Sequence, residues 1–134
     1  MWTYAQKTGA LLRNGQLVGT GYSGFDEGKN NPAMQAVAEV GPIPGGRWTI
    51  VGPPFSSSEH GPFVLRLEPD AGTNRFGRDG FLLHGDSIEA TGCASRGCII
   101  QARAVRELVW QSGDAILEVV AEFQTQDLAG AASA

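Results

Sequence analysis

Residues 81–101 read FLLHGDSIEATGCASRGCIIQ, with His84 near the start and Cys98 near the end of a segment rich in glycine and small residues. A cysteine thiol has a pKa of about 8.5, so it needs an adjacent base to act as a nucleophile at neutral pH. The apolar run before His84 predicts a strand that presents the imidazole at its end. We therefore predict that Cys98 is a nucleophile and His84 its base, with backbone N–H groups around Gly97 and Cys98 as oxyanion donors. A buried structural cysteine is the alternative, because cysteine is among the most buried residue types.

The segment after Cys98 predicts the one convincing helix of the chain, over residues 102–112. Val105, Leu108 and Val109 follow the i, i+3, i+4 spacing of a single buried face. The charge effect of a helix terminus fades within one turn, so we expect the imidazole to dominate activation of the thiol.

The rest of the chain predicts short strands joined by turns. The Asn14-Gly15 pair is a strong hairpin signal. Residues 21–45 are rich in glycine, proline and asparagine, which predicts an ordered loop with one short helical turn near 33–38, and residues 56–58 predict a polar turn. Strands are predicted at residues 2–6, 10–13, 16–20, 47–51, 63–68, 81–84 and 115–122. The sum is a mainly β domain.

Composition narrows the class of protein. The chain has 134 residues, 42% of them hydrophobic, and a formal net charge of -4, which fits one domain with its own core. Its arginines are scattered, so no nucleic-acid partner is expected. No apolar run approaches the roughly 20 residues that span a bilayer, and the N-terminus lacks the apolar region of a signal peptide. We expect synthesis in the cytoplasm without a signal peptide and no membrane insertion. Only two cysteines occur, which excludes a disulfide scaffold and a zinc site built on four cysteines. No metal or other cofactor is expected.

The motif around the two reactive residues resembles a known family. His84-Gly85 followed by Ala94-Ser95-Arg96-Gly97-Cys98-Ile99 resembles the L,D-transpeptidase signature, in which a histidine lies upstream of a Ser-x-Gly-Cys element. Four further stretches are similar to type VI secretion effectors with an L,D-transpeptidase-like domain: residues 20–24, 30–32, 41–46, and 78 with 81–85. The resemblance covers residues 1–123 and implies a catalytic β-sandwich or mixed sheet with one helix after the catalytic cysteine. Residues 124–134 predict a flexible C-terminal tail.

The resemblance implies a cysteine enzyme of peptidoglycan, an L,D-carboxypeptidase and L,D-transpeptidase. It would cleave tetrapeptide stems before the terminal D-alanine through a Cys98 acyl-enzyme, with His84 as base. Free D-amino acids would exchange with the terminal residue. The departure is Ile100, which stands where wall-maintaining members carry an arginine, so hydrolysis is expected more than cross-linking.

The resemblance also implies roles for the neighbours of the reactive pair. A backbone carbonyl near Gly85 or Asp86 would orient His84. Ser95 would lie in the pocket wall, and Arg78 or Arg96 would bind substrate carboxylates. The expected partners are peptidoglycan stem peptides, a secretion-apparatus carrier and a cognate immunity protein. The expected place of action is the periplasm of a target bacterium.

Several residues have plainer interpretations. His60 lies in a polar stretch and is expected to be a loop histidine, and Cys93 a small buried thiol. Arg78 has an alternative as a surface partner of Asp79 or Asp86, and the Asp86 carboxylate is a second candidate to orient His84. Trp48 and Trp110 are expected in the core and Trp2 as an anchor of the first strand.

Two other functions remain open for the whole chain. One is a non-catalytic peptidoglycan-binding or interaction module on the same scaffold, which would bind muropeptides without acylation. The other is a redox switch between Cys93 and Cys98, which requires both sulfurs to be accessible and close.

Overall fold

A computed structural model describes residues 1–87, 92 and 95–124 of the chain. Over these residues nine strands form a single mixed sheet in the order β3-β2-β1-β9-β5-β6-β7-β8-β4, accompanied by one α-helix. The elements are β1 (Trp2–Ala5), β2 (Ala10–Arg13), β3 (Gln16–Thr20), β4 (Tyr22–Ser23), β5 (Gly46–Ser57), β6 (Gly61–Pro69), β7 (Leu82–His84), β8 (Ile99–Ile100), α1 (Arg103–Gln111) and β9 (Ile116–Val120). The mainly β class with one helix after Cys98 is confirmed.

The N-terminal hairpin forms at the Asn14-Gly15 pair, as predicted. Asn14 and Gly15 both adopt positive φ, at 49° and 82°, the conformation that a tight two-residue turn between β2 and β3 requires. Strand β1 pairs antiparallel with β2 and parallel with β9. The C-terminal strand thereby joins the N-terminal hairpins to the rest of the sheet.

The β5–β6 hairpin is longer than its sequence predicts. The turn expected at residues 56–58 is wrong, because Ser57 pairs with Gly61 and the chain reverses at residues 58–60. Register shifts on either side of Phe55 allow β5 to continue past its two prolines, so pairing with β6 overrides the polar composition. The extension places His60 at the tip of the hairpin.

The loop at residues 21–45 lacks long regular elements, as predicted. It contains strand β4 and two 3₁₀ turns, Asp26–Gly28 and Pro32–Met34. Its last part is buried, with Ile43 fully enclosed. The loop is therefore a packed wall of the domain.

The core corrects two expectations about large side chains. Trp2 and Trp48 are buried at 1% and 0% exposure, as predicted, but Trp110 is 41% exposed and lies over Gly52, where a Cβ would collide with its ring. The buried face of α1 consists of Val105, Arg106 and Val109, whereas Leu108 is 52% exposed. The helix packs against β6 and β7 with this rotated face because the Arg106 guanidinium finds three carbonyl acceptors there.

Within the described residues, none of the helices is long and apolar enough to cross a membrane. The flexible tail predicted at 124–134 lies outside the described residues except for Gln124, and it stays a prediction.

Candidate active site

The two predicted catalytic residues lie on one face of the sheet. Strands β7 and β8 pair in parallel, with Leu83 opposite Ile99. Both of these side chains belong to the hydrophobic core, and side chains alternate along a strand. His84 and Cys98, one residue away from them, therefore point to the opposite face. Both line an open cleft of about 1110 Å³.

His84 is held in one tautomer by its neighbour. Its Nδ1 lies 2.8 Å from the Gly85 carbonyl oxygen, and because a carbonyl only accepts, Nδ1 carries the proton. Nε2 is buried and has no hydrogen-bond partner among the described residues. Burial lowers the pKa of His84; the Gly85 hydrogen bond acts against this fall, and His60 and Arg106 act in the same direction as burial. The ring therefore rests neutral, with the Nε2 lone pair available to accept a proton.

Cys98 rests as a thiol. Its side chain is 8% exposed, and burial raises its pKa to about 11, although a hydrogen bond from the Leu82 backbone and the charge of Arg78 act against that rise. At neutral pH the pair is thus a neutral thiol and a neutral imidazole. Nucleophilic attack has to move the proton from sulfur to Nε2 in the same step as, or just before, bond formation.

The turn before Cys98 is fixed by Ser95. Its hydroxyl donates to the Cys98 carbonyl at 2.6 Å and accepts from the N–H groups of Gly24 and Gly97. Ser95 is fully buried beneath the turn, so the structure does not place it in the cleft wall. Gly97 adopts a φ of 126°, where an added Cβ would also meet the Arg78 guanidinium, so this position requires glycine.

Arg78 is a clamp on backbone carbonyls. It is 7% exposed and donates to the carbonyls of Gln35, Gly41, Pro42 and Arg96. The alternative of a surface pair with an aspartate is wrong, because the guanidinium is buried among these acceptors. Its positive charge lies close enough to Cys98 to lower the thiol pKa.

Arg96 and Asp86 occupy different surroundings. Arg96 is exposed on the cleft wall, with its guanidinium 3.8 Å from the centre of the Phe25 ring. The Asp86 carboxylate accepts from the Tyr22 hydroxyl at 2.6 Å and from the N–H groups of Ser87 and Gly92. Burial alone would raise the pKa of Asp86, but these hydrogen bonds outweigh it and keep the carboxylate charged. The carbonyl of Gly85, rather than this carboxylate, makes the hydrogen bond to His84.

Two residues of the site were missed by sequence reasoning. His60 is in a loop, as predicted, but its ring centroid lies only 4.5 Å from that of His84. Arg106 is 5% exposed and lines the cleft beside Gly85. The sequence carried one signal for Arg106, a charged residue between Val105 and Val109 on the apolar face, and none for His60, whose position depends on the length of the hairpin.

Cys93 lies outside the described residues, so the redox-switch hypothesis stays untested. Across the described ranges, no group of three or more His, Cys, Asp or Glu side chains could hold a metal ion.

Comparison with known proteins assigns the chain to a family. A search of curated proteins finds no significant match. A family model described as the Tlde1 domain matches residues 18–121, which include His84, Cys98 and most of the sheet. The match extends over well more than half of the 134 residues, and the chain therefore belongs to the Tlde1 domain family of type VI secretion effectors.

Proposed function

We propose that the protein is an antibacterial effector that cleaves peptidoglycan stem peptides as a cysteine L,D-carboxypeptidase. The observation that carries the proposal is the pairing of His84 and Cys98 on adjacent strands and one face, with an unpartnered Nε2 in a shared cleft. A buried ring nitrogen without a hydrogen-bond partner lowers stability, so such a nitrogen is a candidate for a catalytic role. Membership of a type VI effector family and the resemblance to L,D-transpeptidases supply the substrate class.

The first half of the reaction forms an acyl-enzyme. Cys98 Sγ attacks the carbonyl carbon of the third-position diamino acid while the thiol proton passes to His84 Nε2. Collapse of the tetrahedral intermediate breaks the C–N bond, and the imidazolium returns the proton to the leaving nitrogen. The products are D-alanine and a thioester of Cys98.

The second half regenerates the thiol. Water attacks the thioester and gives its proton to His84, the C–S bond breaks, and the proton returns to sulfur. The amine of a free D-amino acid or of another stem, in place of water, gives exchange or transpeptidation. Ile100, buried in β8, supplies no positive charge where wall-maintaining enzymes have an arginine, which favours water as the acceptor.

Of the two oxyanion donors expected, the Gly97 N–H donates to Ser95 Oγ at 3.1 Å and is therefore engaged within the turn. We assign the role to the other expected donor, the Cys98 N–H.

The test incubates tetrapeptide muropeptides with the wild-type protein and with Cys98→Ala, and follows D-alanine release by mass spectrometry. Intact-mass measurement should show a tripeptide thioester on the wild-type protein only. Ser95→Ala is a control that loosens the turn and keeps the thiol. D-alanine release that persists in Cys98→Ala would overturn the proposal.

A second candidate is a non-catalytic peptidoglycan-binding module, which the raised pKa of the buried Cys98 favours. It predicts muropeptide binding without a thioester and with slow iodoacetamide labelling of Cys98. In the enzyme, the His84 base should make labelling faster than in His84→Gln.

A further inference from the structure

The guanidinium of Arg106 is a buried cation without a counterion among the described residues. Nε donates to the Gln101 carbonyl at 3.1 Å, and Nη1 donates to the Pro62 and Phe63 carbonyls, each at 2.7 Å. All three acceptors are neutral. The neighbouring acid on the helix, Glu107, pairs instead with Arg103 at 3.5 Å. Buried charges are normally paired, since desolvation of an ion costs several kcal/mol.

The remaining nitrogen of Arg106 faces the candidate active site. Nη2 makes no hydrogen bond within the described part of the chain, and it lies over Gly85, where an added Cβ would approach it to 2.7 Å. Gly85 is the residue that orients the His84 ring. Because Arg106 lines the cleft, its free Nη2 lies beside the residue that orients the catalytic base.

The chemistry of the reaction brings an anion to this place. His84 protonates the scissile nitrogen, and the α-carboxylate of a C-terminal residue is only two bonds beyond that nitrogen. A substrate that ends one residue after the scissile bond must therefore carry its carboxylate within a few ångströms of the imidazole. Arg106 lines the same cleft as His84 and Cys98, so its free donor is available to such a carboxylate.

We propose that Nη2 of Arg106 binds the free α-carboxylate of the substrate's C-terminal residue, so that the site selects peptides that end immediately after the scissile bond. This inference rests on the proposed function and names its substrate class: peptides with a free C-terminal carboxylate. The other arginines of the cleft are less suited to the role. Arg78 is committed to four carbonyls, Arg103 is paired with an acid, and Arg96 is exposed over Phe25.

The test compares two tetrapeptides that differ only at the C-terminus, one with a carboxylate and one with an amide. Wild-type kcat/KM should favour the acid by roughly 10- to 100-fold, the range for hydrogen bonds to charged groups. Arg106→Gln should bring the ratio close to 1, whereas Arg103→Gln, on the same helix, should keep it. A purely structural role of Arg106 would lower both rates and leave the ratio unchanged.

A second measurement does not depend on the Arg106 variant, which loses hydrogen bonds to three carbonyls. Calorimetry on Cys98→Ala protein should show the acid peptide binding at least about 10-fold more tightly than the amide. Equal affinities, or a preference that Arg96→Gln abolishes and Arg106→Gln preserves, would overturn the inference.

The two proposals fail in different ways. Cleavage of both peptides at equal rates by the wild-type protein would reject the role of Arg106 and leave the carboxypeptidase proposal standing. Preferential binding of the acid without cleavage would support the role of Arg106 and reject the enzymatic function. Failure of both peptides to bind Cys98→Ala protein removes the inference together with its substrate.

Discussion

The cleft has two walls, and each contains a buried arginine with a different arrangement of partners. The cysteine wall consists of Arg78, Gly80 and Cys98, and the histidine wall of His60, His84, Gly85 and Arg106. Arg78 uses both terminal nitrogens on carbonyls of the 21–45 loop and the turn before Cys98. Arg106 uses Nε on the Gln101 carbonyl and Nη1 on two carbonyls of β6, and its Nη2 makes no hydrogen bond among the described residues.

The two positive charges act in the same direction on their neighbours but with different consequences. Burial raises the pKa of Cys98, and the charge of Arg78 acts against that rise and so favours the anion that attacks. Burial lowers the pKa of His84, and the charge of Arg106 adds to that fall and so favours the neutral base that accepts the proton. Each charge thus favours the form of its neighbour that takes part in the attack.

The largest effect is expected within the histidine wall. His84→Gln removes the proton acceptor and should lower kcat by about 10³-fold or more, the order seen when a catalytic base is removed. His60→Gln, which changes the ring stacked on His84, should lower it less than about 10-fold. Release of D-alanine at fixed enzyme concentration measures both. Similar losses in the two variants would mean that the imidazoles act as a unit.

The two arginines should differ in their contribution to stability. Arg78→Met leaves four carbonyls without their donor and frees the loop from the turn, so we expect a loss of about 3–5 kcal/mol in the free energy of unfolding. Arg106→Met affects three carbonyls at the edge of the cleft and removes a charge that forms no salt bridge with any described residue, so a loss of about 1–3 kcal/mol is expected. Urea denaturation followed by tryptophan fluorescence compares them. An Arg106 variant that is the less stable of the two would contradict the assignment of Arg78 as the main clamp.

The pH dependence of activity tests the electrostatics of the histidine wall. Because burial lowers the pKa of His84, the neutral base should persist to a lower pH than a free imidazole, whose pKa is about 6.5. Activity should then fall as the pH drops through the pKa of His84. Around this ring, His60 and Arg106 lower its pKa while the Gly85 hydrogen bond and Asp86 raise it. His60→Gln should therefore move the acid limb of kcat/KM to higher pH, and an unchanged limb would exclude coupling between the two rings.

The reactive pair was more predictable from sequence than the residues around it, for a physical reason. The strand before His84, the turn before Cys98 and the helix after it depend on local patterns that the sequence carries. The contact of His60 with His84 depends on how far β5 and β6 continue to pair, which the polar residues near the hairpin tip conceal.

The hydrogen-bond partners of individual polar side chains could not be predicted from the sequence either. Ser95 and Arg78 were expected to face substrate, yet both form hydrogen bonds with backbone groups that only the folded chain brings together. The periodicity of α1 predicted Leu108 inside, because a hydrophobicity pattern assigns no buried role to an arginine. Arg106 nevertheless takes that face, since three carbonyls of two other segments compensate its burial in part.

The smallest expected effect tests the orientation of the helix that carries Arg106. Val109 is 2% exposed and Leu108 is 52% exposed, although the sequence pattern assigns both to the buried face. Val109→Ala removes two buried methyl groups and should lower the free energy of unfolding by about 2 kcal/mol, whereas Leu108→Ala should change it by less than about 0.5 kcal/mol. Thermal or urea unfolding distinguishes these values. A larger loss from Leu108→Ala would mean that α1 is rotated by about one residue, about 100° around its axis. In that orientation Arg106 would face away from Gly85 and the cleft.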